Sequence, residues 1–242
     1  MQIVIINFSE NTGKTTLSKH LFGALLPGVK RIQIEDVNLS DDDPDIEVAA
    51  GKFKTFTVEL NTAVDEHYVI DIGASNAKAM INNFSTLKST RAGIDFWIIP
   101  VAPASKQRSD SLNTAKTLMN IGVNPDRILM LMNNIVDVES IKTDFDVIFK
   151  LRAHGIQVID EVVLSNEIFD LLKNRSETVF DLLATTPDFK ALMRAARDKE
   201  DLKELQDLGY RQVLQDMAEF AADNLRGVFN ATPLAARLAL SV

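Results

Sequence analysis

An α/β fold, with a doubly wound, mostly parallel sheet and helices on both faces, is predicted by three features of the chain. Apolar runs rich in Ile and Val alternate with helix-like segments from residue 2 to about residue 180. The connections between them are short, which favours βαβ units with right-handed crossovers. The first apolar run passes directly into a polar, Gly-containing turn that opens a helix, an arrangement suited to anion binding.

Taken in order, residues 2–7 are an apolar run bounded by polar residues and read as a buried parallel strand. Residues 14–26 carry Leu17, Leu21 and Leu25 at helical spacing and stop at Pro27-Gly28. A second strand is expected over residues 30–35, where Ile32 and Ile34 alternate with polar residues, then an acidic loop at residues 41–45. Next come a helix over 53–64, a strand over 68–73 containing Asp71, and a helix over 76–89 with Ser75 or Asn76 as its cap. A strand over 95–101 runs into Pro100-Val101-Ala102-Pro103 and is followed by a helix over 105–120. A strand over 127–132 ending at Asn133-Asn134, a helix over 141–153 and a strand over 157–163 complete the alternation. Thr186-Pro187-Asp188 then reads as a cap with Pro at the first helical position. A helix from Asp201 carries Leu202, Leu205, Leu208, Val213, Met217 and Phe220 as an apolar stripe. One domain spanning residues 1–242 is expected, with a helical extension from about residue 186 packed on the sheet.

Composition narrows the function classes. At 242 residues, 46% of them hydrophobic, the chain can bury one large core. It has no cysteine, which excludes disulfides, thiolate catalysis and Cys-based zinc sites, and His20, His67 and His154 fit no ligand spacing. No stretch reaches the roughly 18 apolar residues that span a bilayer, and residues 1–6 are too short an apolar run for a secretory signal. A cytoplasmic protein without a membrane partner is expected. The formal charge of -8 and pI of about 5.0 repel nucleic acid unless a local basic patch intervenes, which argues against tight DNA binding unaided.

The segment that carries chemistry is Phe8-Ser9-Glu10-Asn11-Thr12-Gly13-Lys14-Thr15-Thr16. Between a strand and a helix, such a turn presents successive backbone N–H groups and a helix N-terminus to a phosphate. Gly13 lets the backbone approach closely, Lys14 suits the β- and γ-phosphate oxygens, and the Thr15 hydroxyl suits Mg²⁺. Asn11, Thr12 and Thr16 complete the candidate cradle. Phe8 stands where G-x-x-x-x-G-K-[ST] has its first Gly. A Lys in the first helical turn is otherwise disfavoured by the helix dipole, so a plain capped turn leaves Lys14 unexplained. Asp71, at the carboxyl end of its strand, is placed to hold a magnesium-bound water, or else acts as a turn residue. Asn133 offers an amide to an adenine edge, though an Asn at a strand end is also commonplace. Glu35 and Asp36 close the second strand as candidate switch carboxylates or solvated charges, and the Pro100–Pro103 exit serves either as core and turn or as a functional loop.

The series of phosphate loop, Asp36, Asp71-x-Gly73, Ile99-Pro100-Val101-x-Pro103 and Asn133 resembles the ParA/MinD group of deviant Walker A P-loop ATPases. The opening Ile5-Ile6-Asn7-Phe8-Ser9-x-Asn11-x-Gly13-Lys14-Thr15-Thr16 looks most like the plasmid stability protein StbB branch. The resemblance covers roughly residues 1–180 and implies an ATP- and Mg²⁺-dependent homodimer, slow hydrolysis, and a role in positioning or inheriting plasmid DNA, directly or through a DNA-binding adaptor protein. It implies phosphate and metal roles for Lys14 and Thr15, a switch role for Asp36, a magnesium-water role for Asp71 and a base role for Asn133. The family's signature Lys, which reaches across the dimer to the partner's ATP, falls at Ser9, which carries no charge; Lys52, Lys78 and Lys106 are the candidate substitutes.

Two other classes stay open. One is a dethiobiotin-synthetase-like metabolic ligase, which needs further cations near Lys14; the other is a nucleotide-binding partner protein that does not hydrolyse, suggested by Phe8 and Ser9. A GTPase fits less well, because Asn134-Ile135-Val136-Asp137 has N-x-x-D spacing without the Lys of the guanine-reading motif. The apolar tail from Leu234 to Leu240 has one cation, and is expected to pack on the body or on a dimer partner rather than on a membrane.

Overall fold

The structure, a computed structural model, describes residues 1–35, 46–49, 53–63, 66–185 and 187–239. Seven parallel strands, β1 (Gln2–Ile6), β2 (Val29–Glu35), β3 (Ile46–Ala49), β4 (His67–Ile72), β5 (Phe96–Val101), β6 (Ile128–Met132) and β7 (Gln157–Val158), lie in the order β3-β2-β4-β1-β5-β6-β7. The Ile/Val runs account for this arrangement, since a strand covered on both faces needs no polar alternation. The expected doubly wound parallel sheet is what the chain adopts.

Register partners in neighbouring strands share a face of the sheet. Val4, Ile6, Ile70, Trp97 and Met130 form one core with apolar residues of helices Phe53–Thr62, Ala74–Thr86 and Ser105–Asn120. There Phe84 and Trp97 meet edge to face, 5.0 Å between ring centroids. Ile3, Ile5, Val69, Ile98 and Leu129 form the second core with Leu17, Leu21 and Phe22 of the first helix and with helix Leu202–Asn230. Gln33 and Asp71 are register partners, as are Asp71 and Ile5. Both polar side chains therefore project from the face that carries the first helix.

Several elements differ from the sequence expectation. The edge strand β3 was not expected: four residues after an acidic stretch give no run long enough to read, and it exists because β2 offers it a ladder from Ile32↔Ile46 to Glu35↔Ala49. The last strand shrinks to Gln157–Val158, because the exposed Asp160 and Glu161 follow it at the sheet edge. The first helix is not uniform: α-helical turns at Lys14–Thr16 and Gly23–Leu25 flank a wider π-helical run, Leu17–Phe22. The helix expected over 141–153 is broken at Phe145 into Ile141–Asp144 and Asp146–Phe149, then a 3₁₀ turn Lys150–His154. Helix Ala74–Thr86 starts directly after Gly73, so Ser75 and Asn76 lie inside it and neither caps it. In the extension, Asp188 rather than Thr186 caps helix Phe189–Asp198, accepting from the Ala191 N–H at 2.9 Å, and Pro187 precedes the cap.

The stripe expected on the long helix is also rotated. Its buried face is Leu208, Leu214, Ala218, Ala221, Ala222, Leu225, Val228 and Phe229, while Leu202, Val213 and Phe220 are exposed. Three alanines of this face share one core with Leu17, Leu21 and Phe22 of the π-helical run, and Phe229 meets Phe22 at 6.5 Å between ring centroids. The tail packs on the body: Leu234 is fully buried in the same core, and Arg237 pairs with Asp95 at 2.5 Å over the Phe96 ring. Leu240, the acidic loop at residues 41–45, Asp36, Lys52 and Thr186 lie outside the described residues. No helix among the described residues is long and apolar enough to cross a membrane.

Candidate functional site

Between the end of β1 at Ile6 and the helix beginning at Lys14, residues 7–13 must turn the chain. Two of them do so with left-handed backbone, Asn11 at φ 53° and Gly13 at φ 78°. A Cβ on Gly13 would lie 1.9 Å from Nδ2 of Asn133, so glycine is required there by backbone and by space alike.

Four successive carbonyls of this turn are held by side chains. Lys14 Nζ donates to Ser9 O at 3.0 Å, Gln107 Nε2 to Glu10 O at 3.1 Å and to Asn11 O at 3.0 Å, and Asn133 Nδ2 to Thr12 O at 2.8 Å. All peptide bonds in the described residues are trans. In a planar trans unit the N–H points opposite to the C=O. The N–H groups of Glu10, Asn11, Thr12 and Gly13 are therefore each turned away from the side chain that grips the preceding carbonyl. None of these four N–H groups has a hydrogen-bond partner among the described residues. Consecutive free amides at the start of a helix, with a lysine beside them, form a concavity of the kind that suits an anion.

The concavity opens into a cavity of about 740 Å³. Asn11, Thr12, Gly13, Lys14, Thr15, Thr16, Asp71 and Asn133, all predicted from sequence, line it together. Of these, Thr12, Lys14, Asp71 and Asn133 are buried, and Thr15 and Thr16 are half-buried. Asn133 spends its amide N–H on the loop itself, a bracing role that its position at a strand end did not reveal. Ser9, at the signature-lysine position, is buried, and its backbone N–H donates to Asn7 Oδ1 at 2.8 Å. Lys78 and Lys106 are exposed and do not line the cavity.

Other residues of the site were not anticipated. Gln33 lines the cavity, is 5% exposed, and its Oε1 has no hydrogen-bond partner among the described residues. In the sequence it belongs to an apolar-polar alternation, which reads as solvent-facing, whereas β2 is covered on both faces. The opposite wall comes from residues 164–173. That wall is tied down by the π-helical run of the first helix. Buried Lys19 donates to the carbonyls of Leu172, at 2.8 Å, and of Arg175, and His20 Nδ1 accepts the Val179 N–H at 3.3 Å. Burial, with the Lys19 and Arg31 charges nearby, lowers the His20 pKa to about 3, so this ring stays neutral and its Nδ1 remains an acceptor.

No protein-family model and no curated protein matches the chain. Solved structures do. The cell division protein MinD from Aquifex aeolicus superposes with a TM-score of 0.53 at 16% identity, covering 75% of this chain and 88% of MinD. The chain has the MinD fold. The MinC:MinD cell division protein complex of the same organism gives 0.52 at 16% identity, over 74% of this chain and 87% of the other. A putative plasmid partition protein of Borrelia burgdorferi B31 bound to AMPPNP matches at 0.46 and 11% identity, over 87% and 97% of the two chains, too loosely to bear on the site. At 16% identity the likeness to MinD is one of fold, and the chemistry rests on the side chains described above.

Proposed function

We propose that the chain binds ATP with Mg²⁺ at residues 8–16 and acts in the cytoplasm as an ATPase switch that dimerises on the nucleotide, serving plasmid stability or partition. One observation carries the nucleotide reading: four consecutive unpartnered N–H groups beside Lys14, at the floor of a cavity of about 740 Å³. Such a volume suits a nucleotide. In this reading Lys14 exchanges its bond to Ser9 O for the β- and γ-phosphate oxygens. The donor set fits Mg²⁺, which keeps several waters and needs few protein oxygens. Thr15 and buried Asp71 face one cavity, and no group of three His, Asp or Glu able to hold a metal occurs among the described residues. When bound, the ion neutralises charge on the phosphoryl oxygens. Asn133 contributes toward the base through its carbonyl Oδ1 and its second amide hydrogen, the first donating to Thr12 O, and Asp36 serves as the switch carboxylate that orients water.

The plasmid role rests on the resemblance of residues 5–16 to the StbB branch. The chain's charge of -8 favours a DNA-binding adaptor protein over DNA itself as its partner. The extension from about residue 186 belongs to the same domain in this reading, its buried face forming one core with Ile3 and Ile5.

Buried, uncharged Ser9 supports a second reading, a nucleotide-binding partner protein that does not hydrolyse. Light scattering with and without ATP-Mg²⁺, paired with a hydrolysis assay, separates the two. The switch reading expects an ATP-dependent dimer with low turnover, because a trans cation contributes about 10³–10⁵-fold to phosphoryl transfer where it has been measured in GTPases. It also expects Ser9→Lys to raise turnover or tighten the dimer. A chain that stays monomeric with a non-hydrolysable analogue rejects the switch. Asp71→Asn should remove the Mg²⁺ dependence of nucleotide affinity; a collapse of ligand-free stability with that dependence intact would make Asp71 structural.

A further inference from the structure

We propose that Gln107 is a positioning residue for phosphate recognition, and that the helix after the Pro100–Pro103 exit exists in this register to deliver it. This rests on the reading of residues 8–16 as the phosphate loop. One Gln107 amide nitrogen donates both of its hydrogens to the loop, to Glu10 O at 3.1 Å and Asn11 O at 3.0 Å. A single side chain thereby orients two successive peptide planes, turning the Asn11 and Thr12 N–H groups the other way, toward the anion. The loop tip needs such a hold. Asn11 is held in left-handed backbone at φ 53°, a conformation that side chains seldom adopt without local hydrogen bonds to support it.

The register of the helix is set deeper down. Asn7 Nδ2 donates to Ser111 Oγ at 2.7 Å and to Pro100 O at 2.8 Å, and the Phe8 N–H donates to Thr114 Oγ1 at 3.1 Å. Gln107, Ser111 and Thr114 fall at i, i+4 and i+7, on one face of helix Ser105–Asn120. Ser111 and Thr114 are fully buried, whereas Gln107 is half-buried beside the loop tip. The two inner bonds fix where the helix lies along the loop, and the outer one sets the conformation of its tip. The rigid proline exit starts the helix at the right height. That gives the Pro100-Val101-Ala102-Pro103 segment a task that sequence alone left undecided.

The test is calorimetric titration of ATP-Mg²⁺, and separately of inorganic tripolyphosphate, into the full chain. Gln107→Met keeps the length and removes both donors, and Gln107→Glu faces the two carbonyls with a carboxylate. The expected result is a loss of about tenfold in affinity for Gln107→Met and a larger loss for Gln107→Glu. The factor should be the same for ATP and for tripolyphosphate, because the loss follows the phosphates. The ligand-free melting temperature should hold within about 2 °C, as the removed group is only half-buried. Lys116→Met, on the outward face of the same helix, should change neither. ATP affinity unchanged in Gln107→Met, with the wild type binding normally, overturns the role of Gln107 and leaves the phosphate loop standing. A lowered melting temperature with unchanged affinity makes the residue structural and also overturns it. A wild type that binds neither ATP nor tripolyphosphate overturns the phosphate loop, and the positioning role with it.

Discussion

The loop at residues 8–16 and the long helix Leu202–Asn230 are held to the same sheet by opposite means. The loop is gripped by directional bonds: side chains of Lys14, Gln107 and Asn133 hold four of its carbonyls, and Asn7, Ser111 and Thr114 fasten its base. The long helix is held chiefly by apolar burial, with Ala218, Ala222, Leu225 and Val228 fully buried against the first helix and the strands. Hydrogen bonds are individually modest in net worth but fix the direction of a peptide plane. Apolar burial is non-directional and scales with area. The loop's contacts should therefore govern ligand geometry and the helix's contacts should govern stability, and variants can separate the two.

The largest effect expected is on stability. Leu225→Ala removes a fully buried side chain and should cost about 2–5 kcal/mol in urea unfolding. Nucleotide affinity of the folded fraction should stay within about twofold. A strong affinity loss there would show that the long helix also shapes the loop, and the contrast would fail.

Lys14→Ala is the converse. It should weaken ATP binding by at least ~1.5 kcal/mol, the low end for hydrogen bonds to a charged group. Calorimetry showing unchanged affinity in a folded variant would remove the loop's claim to a phosphate.

A pH titration probes His20 of the first helix, whose Nδ1 accepts the Val179 N–H. The folded pKa of His20 is about 3, against about 6.5 when unfolded, because burial and the Lys19 and Arg31 charges oppose the imidazolium. Its contribution to stability is thus complete above pH 6.5 and is lost as the pH falls toward 3, since the unfolded chain then takes a proton that the folded chain refuses. The slope approaches about 1.4 kcal/mol per pH unit. His67, held below its ordinary value by burial and then by the N-terminal ammonium, adds to the slope with the same sign. Urea midpoints from pH 7.5 to 5 should fall less steeply in His20→Gln than in the wild type; parallel slopes would place the titration elsewhere.

The smallest effect is expected at the surface of the extension. Arg237→Ala removes a half-exposed ion pair with Asp95 and a ring contact with Phe96. It should cost below about 1 kcal/mol, with nucleotide affinity unmoved. A cost comparable to that of Leu225→Ala would mean that the tail is held by charge rather than by Leu234.

The apolar runs of β1, β4, β5 and β6 were legible from sequence, because a strand buried on both faces leaves a short, Ile/Val-rich, nearly continuous apolar run bounded by turn residues. The loop at 8–16 was legible for the same local reason: strand, Gly-Lys-Thr and helix are contiguous in the chain, and so are Asp71 and its strand. Edge strand β3 and the breaks in the 141–154 segment were not. Short elements take their identity from the ladder or surface that receives them, and four residues carry no period of their own. Of the stripe read on the long helix, Leu208 is buried but Leu202, Val213 and Phe220 are exposed, and three alanines that the stripe did not include lie on the buried face.

What the sequence by itself determined is the parallel α/β sheet and that residues 11–16, Asp71 and Asn133 meet at its carboxyl edge. Those follow from contiguous signals and from the rule that successive βαβ strands present their ends on one side. Only the tertiary structure decided which side chains hold the loop's carbonyls. Gln107 lies about a hundred positions from Glu10 and Asn11, and Asn133 lies farther still from Thr12. A hydrogen bond is set by ångström-scale direction between distant elements, and nothing in the local order of residues encodes it until the helices and strands have packed.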